Sequence, residues 1–312
     1  MPMRAIAFLS LAMMLFAIQD ALFKQLTQSY PVLQLLFIRM TIVVFVMLLV
    51  FIINRKTLSL KTAQWHLMAC RGAAAFFSFF LYYSALQRGG LAESATVLMS
   101  APLFVTALSV PFLSEKVGIH RWSAVCIGFV AVMVMLRPGT ELFQPIMVLP
   151  LIAAIGYAFI PITTRLISGD ISTFTITFHT TFIYWFFCAV GSIIVHLVPA
   201  ASDSGVTYQA VAEPWNELNN RAALLIIFCA LLMLVSIYLL TFAYQRAQAS
   251  FLTSFEYTYL VWAMLIAYVM FDETPSLLTY FAALVIIGCG FYIAWREHQT
   301  NSSVTAVSTV RG

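Results

Sequence analysis

Apolar and polar residues in this chain are arranged in long blocks, not in the short periods of soluble helices or strands. Ten mostly apolar runs fall at 5–23, 32–53, 65–87, 91–113, 121–137, 146–166, 173–198, 222–245, 249–271 and 276–295. A helix needs roughly 20 such residues to cross hydrocarbon about 30 Å thick, because its backbone polar groups must find partners within the segment. Ten spanning helices are therefore predicted. The connections are short apart from a polar stretch at 199–221, and the Ser/Thr/Val-rich end, 299–312, reads as a disordered tail.

The blocks repeat. Ala85-x-Gln87-Arg88 returns as Ala243-x-Gln245-Arg246, and Ser114-Glu115 returns as Asp272-Glu273, both 158 residues later. Ala124 and Ala282 share that offset, whereas an offset of 141 sets Lys24 over Arg165 and brings Arg39 near His179. Two copies with an odd number of spans each must enter the bilayer in opposite senses, the organisation of carriers built from inverted repeats. The expected units are a first repeat at 1–140, a second at 141–298 and a cytoplasmic tail at 299–312.

Composition agrees with the membrane reading: hydrophobic residues are 62% of the chain and charged residues 9%, against about 25% charged in a soluble domain. The first run follows Arg4 and so also admits a signal-peptide reading. Asp20 and Lys24 stand where small cleavage-site residues belong, and removing the run would leave the first repeat one helix short. Basic residues divide ten to four between alternate loops if the N-terminus is cytoplasmic, which puts both termini inside. The net charge of +4 then reflects topology, and basic residues scattered among loops exclude a nucleic-acid surface. All five cysteines lie within the spans without CxxC spacing, and the five histidines show no HxxxH or HExxH pattern. Neither a disulfide framework, a metal site nor a cofactor is expected.

Several of these positions carry a resemblance to the drug/metabolite transporter superfamily, in its EamA-type branch. They are Lys24 and Arg165 ending the first helix of each half, Pro31 followed by Arg39, the run Tyr82-Tyr83-Ser84-Ala85-Leu86, and Glu115 and Glu273 after each fourth helix. The resemblance implies an all-α integral membrane protein of ten helices in two inverted five-helix repeats, with a central cavity between them. It also implies a bacterial inner-membrane carrier of small metabolites such as amino acids, vitamins or nucleotide-like cofactors.

Ionisable residues within spans are the sharpest local signal, since a charge at bilayer depth costs at least ~2.5 to 3.5 kcal/mol unless it meets a partner or a wet cavity. Asp20, Arg39, Arg71, His179 and Glu256 are of this kind. Depth along the helices pairs Asp20 with Arg39 and Arg71 with Glu256. Such pairs line or gate a pathway on one reading and tie helices together on the other. Glu256 corresponds by the 158 offset to the apolar Leu98, which suggests a task of its own. Tyr83, Tyr257, Tyr259 and Trp262 add mid-span phenols and an indole that want hydrogen-bond partners and offer faces to a planar or cationic ligand. Lys24, Arg88, Arg165 and Arg246 sit near helix ends and are expected to snorkel. Glu115 and Glu273 are expected to cap or tether the helix that follows each, and Pro102 and Pro161 to kink theirs.

The expected activity is alternating-access transport of a small polar, planar or zwitterionic metabolite, with proton coupling left open. The expected assembly is a monomer or loose homodimer in the lipid bilayer. A membrane-embedded enzyme or a channel-like subunit is the alternative.

Overall fold

In the computed structural model the described residues are 2–54, 64–114, 117–139, 141, 144–167, 171–197, 215–246, 252 and 255–292. Glu115, the loop lysines at 56, 61 and 116 and the tail at 299–312 lie outside them. The helices are α1 (Pro2–Thr27), α2 (Val32–Asn54), α3 (Trp65–Leu86), α4 (Leu91–Leu98), α5 (Ala101–Leu113), α6 (Ile119–Leu136), α7 (Val148–Leu166), α8 (Thr173–Leu197), α9 (Asn220–Arg246), α10 (Thr258–Phe271) and α11 (Leu277–Tyr292). No strand occurs among the described residues.

Each of the ten apolar runs holds helix, and among the described residues six segments are long and apolar enough to cross a membrane: Arg4–Thr27, Val32–Ile53, Leu91–Leu113, Pro145–Leu166, Thr173–Val195 and Asn220–Arg246. The run at 91–113 is divided. Ser100 closes α4 through its hydroxyl on the Val97 carbonyl at 2.7 Å, and Pro102, which has no N–H to give, stands in the first turn of α5. By contrast, α7 continues through Pro161.

Large apolar side chains cover the outside, among them Ile53, Leu197, Leu224 and Leu284, all about 70% or more exposed. That surface suits lipid. Helix α1 lies along α9 and α10, while α7 lies along α3 and α5; α2 runs beside α8. The matched residues Ser114 and Asp272 also share one backbone state, closing α5 and α10 in left-handed caps with φ of 54° at both.

One glycine sets a helix spacing. A Cβ at Gly72 would lie 2.6 Å from the Cβ of Ile183 and 3.0 Å from the Thr180 carbonyl, so α3 and α8 meet there backbone to side chain. Gly72→Val is expected to lower stability by ~3 kcal/mol in a thermal unfolding measurement, with partial recovery in Gly72→Val/Ile183→Ala.

Candidate functional site

Asp20 lies in the last third of α1 and is 3% exposed. Its Oδ1 accepts the Tyr83 hydroxyl at 2.6 Å and the Gln19 Nε2 at 3.2 Å, and its Oδ2 accepts the Tyr259 hydroxyl at 2.7 Å. Tyr82 and Tyr259 bring their hydroxyls within 2.6 Å. Since Tyr259 has one proton and gives it to Asp20, Tyr82 is the donor of that pair. Gln19 Nε2 and Arg39 Nη1 both donate to the Tyr83 hydroxyl at 3.1 Å. A carboxylate buried among apolar helices is thereby solvated by phenols and an amide from α1, α3 and α10. Neutral donors do the work usually left to a cation or to water.

Asp20 and Arg39 do not form the direct ion pair expected from their depth; the Tyr83 hydroxyl stands between them. Arg39 is fully buried, with its guanidinium 4.5 Å from the Phe23 ring centre and 4.9 Å from that of Tyr83.

The second expected pair is also corrected. Arg71 gives Nε to Thr164 at 2.8 Å, Nη2 to Thr241 at 2.9 Å and Nη1 to Thr180. Each threonine gives its own proton to the carbonyl four residues back, Ile160, Ile237 and Ile176 in turn, and so turns a lone pair towards the guanidinium. Arg71 thus fastens α3 to α7, α9 and α8. Glu256 instead takes the Tyr244 hydroxyl at 2.5 Å and that of Tyr157 at 3.4 Å on Oε1, while its buried Oε2 has no partner. Equal depth misled because it carries no information on the direction a side chain leaves its helix.

Lys24 was expected at the headgroups, yet it is 7% exposed. It forms an ion pair with Glu273 and lies 4.8 Å from the Phe271 ring centre. The other oxygen of Glu273 accepts the Leu91 N–H at 2.8 Å, so it caps α4 and not the helix that follows it. Glu273→Gln keeps the cap but strands a buried ammonium, and is expected to cost ~1 to 3 kcal/mol of stability, discounted because Glu273 is 26% exposed. Thermal unfolding of Lys24→Met/Glu273→Gln should recover most of that loss. Arg88 and Arg165 are exposed, and Arg246 folds back over the Phe242 ring.

Of the remaining expected residues, His179 bonds the Thr175 carbonyl of its own helix at 2.8 Å, and Trp262 is half-buried against the core. Tyr257 is buried with its hydroxyl unpartnered, and its ring fills the space that a Cβ at Gly290 would take. Asp20, Arg39, Tyr83 and Tyr259 come together; His179 and Trp262 do not join them through any hydrogen bond among the described residues. Sequence reasoning missed Gln19, Tyr157, Tyr244 and the three threonines. The mid-span phenol argument applied to Tyr83 reaches Tyr157 and Tyr244 equally, whereas nothing in the sequence marks Thr164, Thr180 and Thr241.

The model of the EamA-like transporter family matches residues 3–137 and again 144–295. An S-adenosylmethionine uptake transporter of Rickettsia bellii is 26% identical over 82% of this chain and 82% of its own length. A riboflavin transporter of Vibrio cholerae is 26% identical over 78% of this chain and 76% of its own. A crystal structure with 18% identity superposes at a TM-score of 0.62 over 95% of this chain and 98% of that one, a likeness of fold.

Proposed function

The chain belongs to the EamA-like transporter family, a family of transporters and not of enzymes, and from that premise we propose that it moves a small polar, planar or zwitterionic metabolite by alternating access. The relatives named for S-adenosylmethionine and riboflavin support a cargo of that size and polarity. Two five-helix repeats, 1–140 and 141–298, enter the bilayer in opposite senses, with both termini and the tail at 299–312 in the cytoplasm of a bacterial inner membrane. The reciprocal packing of α1 on α9 and α10 and of α7 on α3 and α5 supports this pairing of halves. So do the identical caps at Ser114 and Asp272.

The observation that carries the reading is the Asp20 network. It joins an acid of the proposed first repeat to Tyr259 of the proposed second. Rocking of one half against the other would open that network to one side and then the other, with the Lys24–Glu273 pair as the closure on the outer face. Asp20 and Glu256 are the groups available to take up a proton if transport is coupled to one. The protein works as a monomer or a loose dimer. Uptake of labelled S-adenosylmethionine and riboflavin into vesicles carrying the purified protein tests the function: saturable accumulation of either supports it, and unsaturable leak of both contradicts it.

A further inference from the structure

The two fully buried arginines are treated differently. Arg71 places Nε, Nη1 and Nη2 each on a threonine hydroxyl. Arg39 uses Nη1 on Tyr83, while its Nε and Nη2 make no hydrogen bond of good geometry; the buried Tyr184 hydroxyl, which also lacks such a bond, is the neutral group beside the guanidinium. These two nitrogens share one edge of the guanidinium, and their N–H bonds point the same way. That edge is the fork which takes both oxygens of a carboxylate. Leaving it unmet in the interior is costly, and Arg71 demonstrates that this fold can satisfy a buried guanidinium with neutral groups when its role is to hold helices.

From this contrast we infer that the Nε and Nη2 edge of Arg39 receives a carboxylate of the transported molecule, so that the cargo is an amino-acid-like zwitterion. The inference rests on the transport reading above and narrows it. The plane of the guanidinium is set by the rings of Phe23 and Tyr83, which fixes the orientation of the fork before any ligand arrives. A complementary end lies beside it. Asp20 is one hydroxyl away across Tyr83 and touches no cation among the described residues, and the buried Gln19 Oε1 is an acceptor without a donor. A carboxylate on Arg39 with an ammonium or sulfonium turned to Asp20 and Gln19 meets both ends of this arrangement. A phosphate carries more charge than one free fork can match, and Arg71 is already held by three threonines. Riboflavin has no carboxylate and leaves the fork unmet.

The test compares ligand pairs that differ in that one group. Purified protein is heated with S-adenosylmethionine or its decarboxylated form, with L-methionine or L-methioninol, and with riboflavin, and the shift in unfolding temperature is titrated for each. At least one carboxylate member should bind about tenfold or more tightly than its partner lacking the group. Arg39→Lys, which keeps the charge but not the fork, should remove that preference and leave the weaker member unchanged. Equal shifts within both pairs, stabilisation by riboflavin alone, or no shift with any probe would overturn the inference. The comparison within pairs is made on the unmutated protein, so it stands even if Arg39→Lys fails to fold. Uptake measured with the same probes separates the two readings. A carboxylate preference without uptake counts against transport alone, and riboflavin uptake without that preference counts against the carboxylate alone.

Discussion

Asp20→Asn is expected to lower the initial rate of uptake per inserted molecule about a hundredfold, with a fall of about ten degrees or less in unfolding temperature. The substitution is isosteric, but it replaces an acceptor oxygen with an amide that donates. Tyr83 and Tyr259 both direct donors at the two carboxylate oxygens, so one of them must then face a donor. A lost charge-assisted bond together with a misdirected buried donor amounts to ~3 kcal/mol, which is the stated loss in rate if the network forms the site that cargo must traverse. A purely structural role for Asp20 has a different signature: a large fall in thermal stability, with uptake by the surviving folded fraction unchanged. Radiotracer uptake normalised to inserted protein distinguishes them.

Glu256→Gln is expected to uncouple transport and not to abolish it. Glu256 is fully buried, receives hydroxyls from Tyr244 and Tyr157 on one oxygen only, and has no ion pair among the described residues. An acid in that state can gain or lose a proton without breaking a salt bridge. If it is the coupling group, the amide variant should exchange labelled cargo across the vesicle at a rate within about threefold of the original, because exchange needs no net proton movement. Acceleration of uptake by an inwardly directed proton gradient should disappear. Gradient-driven uptake that persists in Glu256→Gln removes Glu256 from coupling and leaves Asp20 as the remaining buried acid within the described helices.

The reach of the sequence was uneven for identifiable reasons. Helix positions follow from apolar run length, because lipid forbids unpaired backbone, and among the described residues the ten runs locate the helices to within a few residues. Asp20, Arg39, Arg71 and Glu256 stand out because charge is rare and expensive in such segments. Their partners do not follow, since α1 and α2 are apolar nearly all the way round and offer no polar face from which to read direction. Tyr83 therefore comes between Asp20 and Arg39, and Arg71 turns to threonines that resemble any other small residues in a span. The break at Ser100 was readable only as a kink at Pro102. Lys24 reads as a headgroup residue because its counter-charge, Glu273, is 249 residues away in the sequence.

Compartment labelling of the two matched glutamates tests the inverted arrangement most directly. Glu115→Cys and Glu273→Cys are placed singly in a variant lacking the five native cysteines and treated in intact cells with a thiol reagent that cannot cross the membrane. Opposed halves require that Cys at 273 reacts from outside and that Cys at 115 reacts only after the membrane is opened. Reaction of both from the same side would contradict the arrangement on which the transport cycle depends.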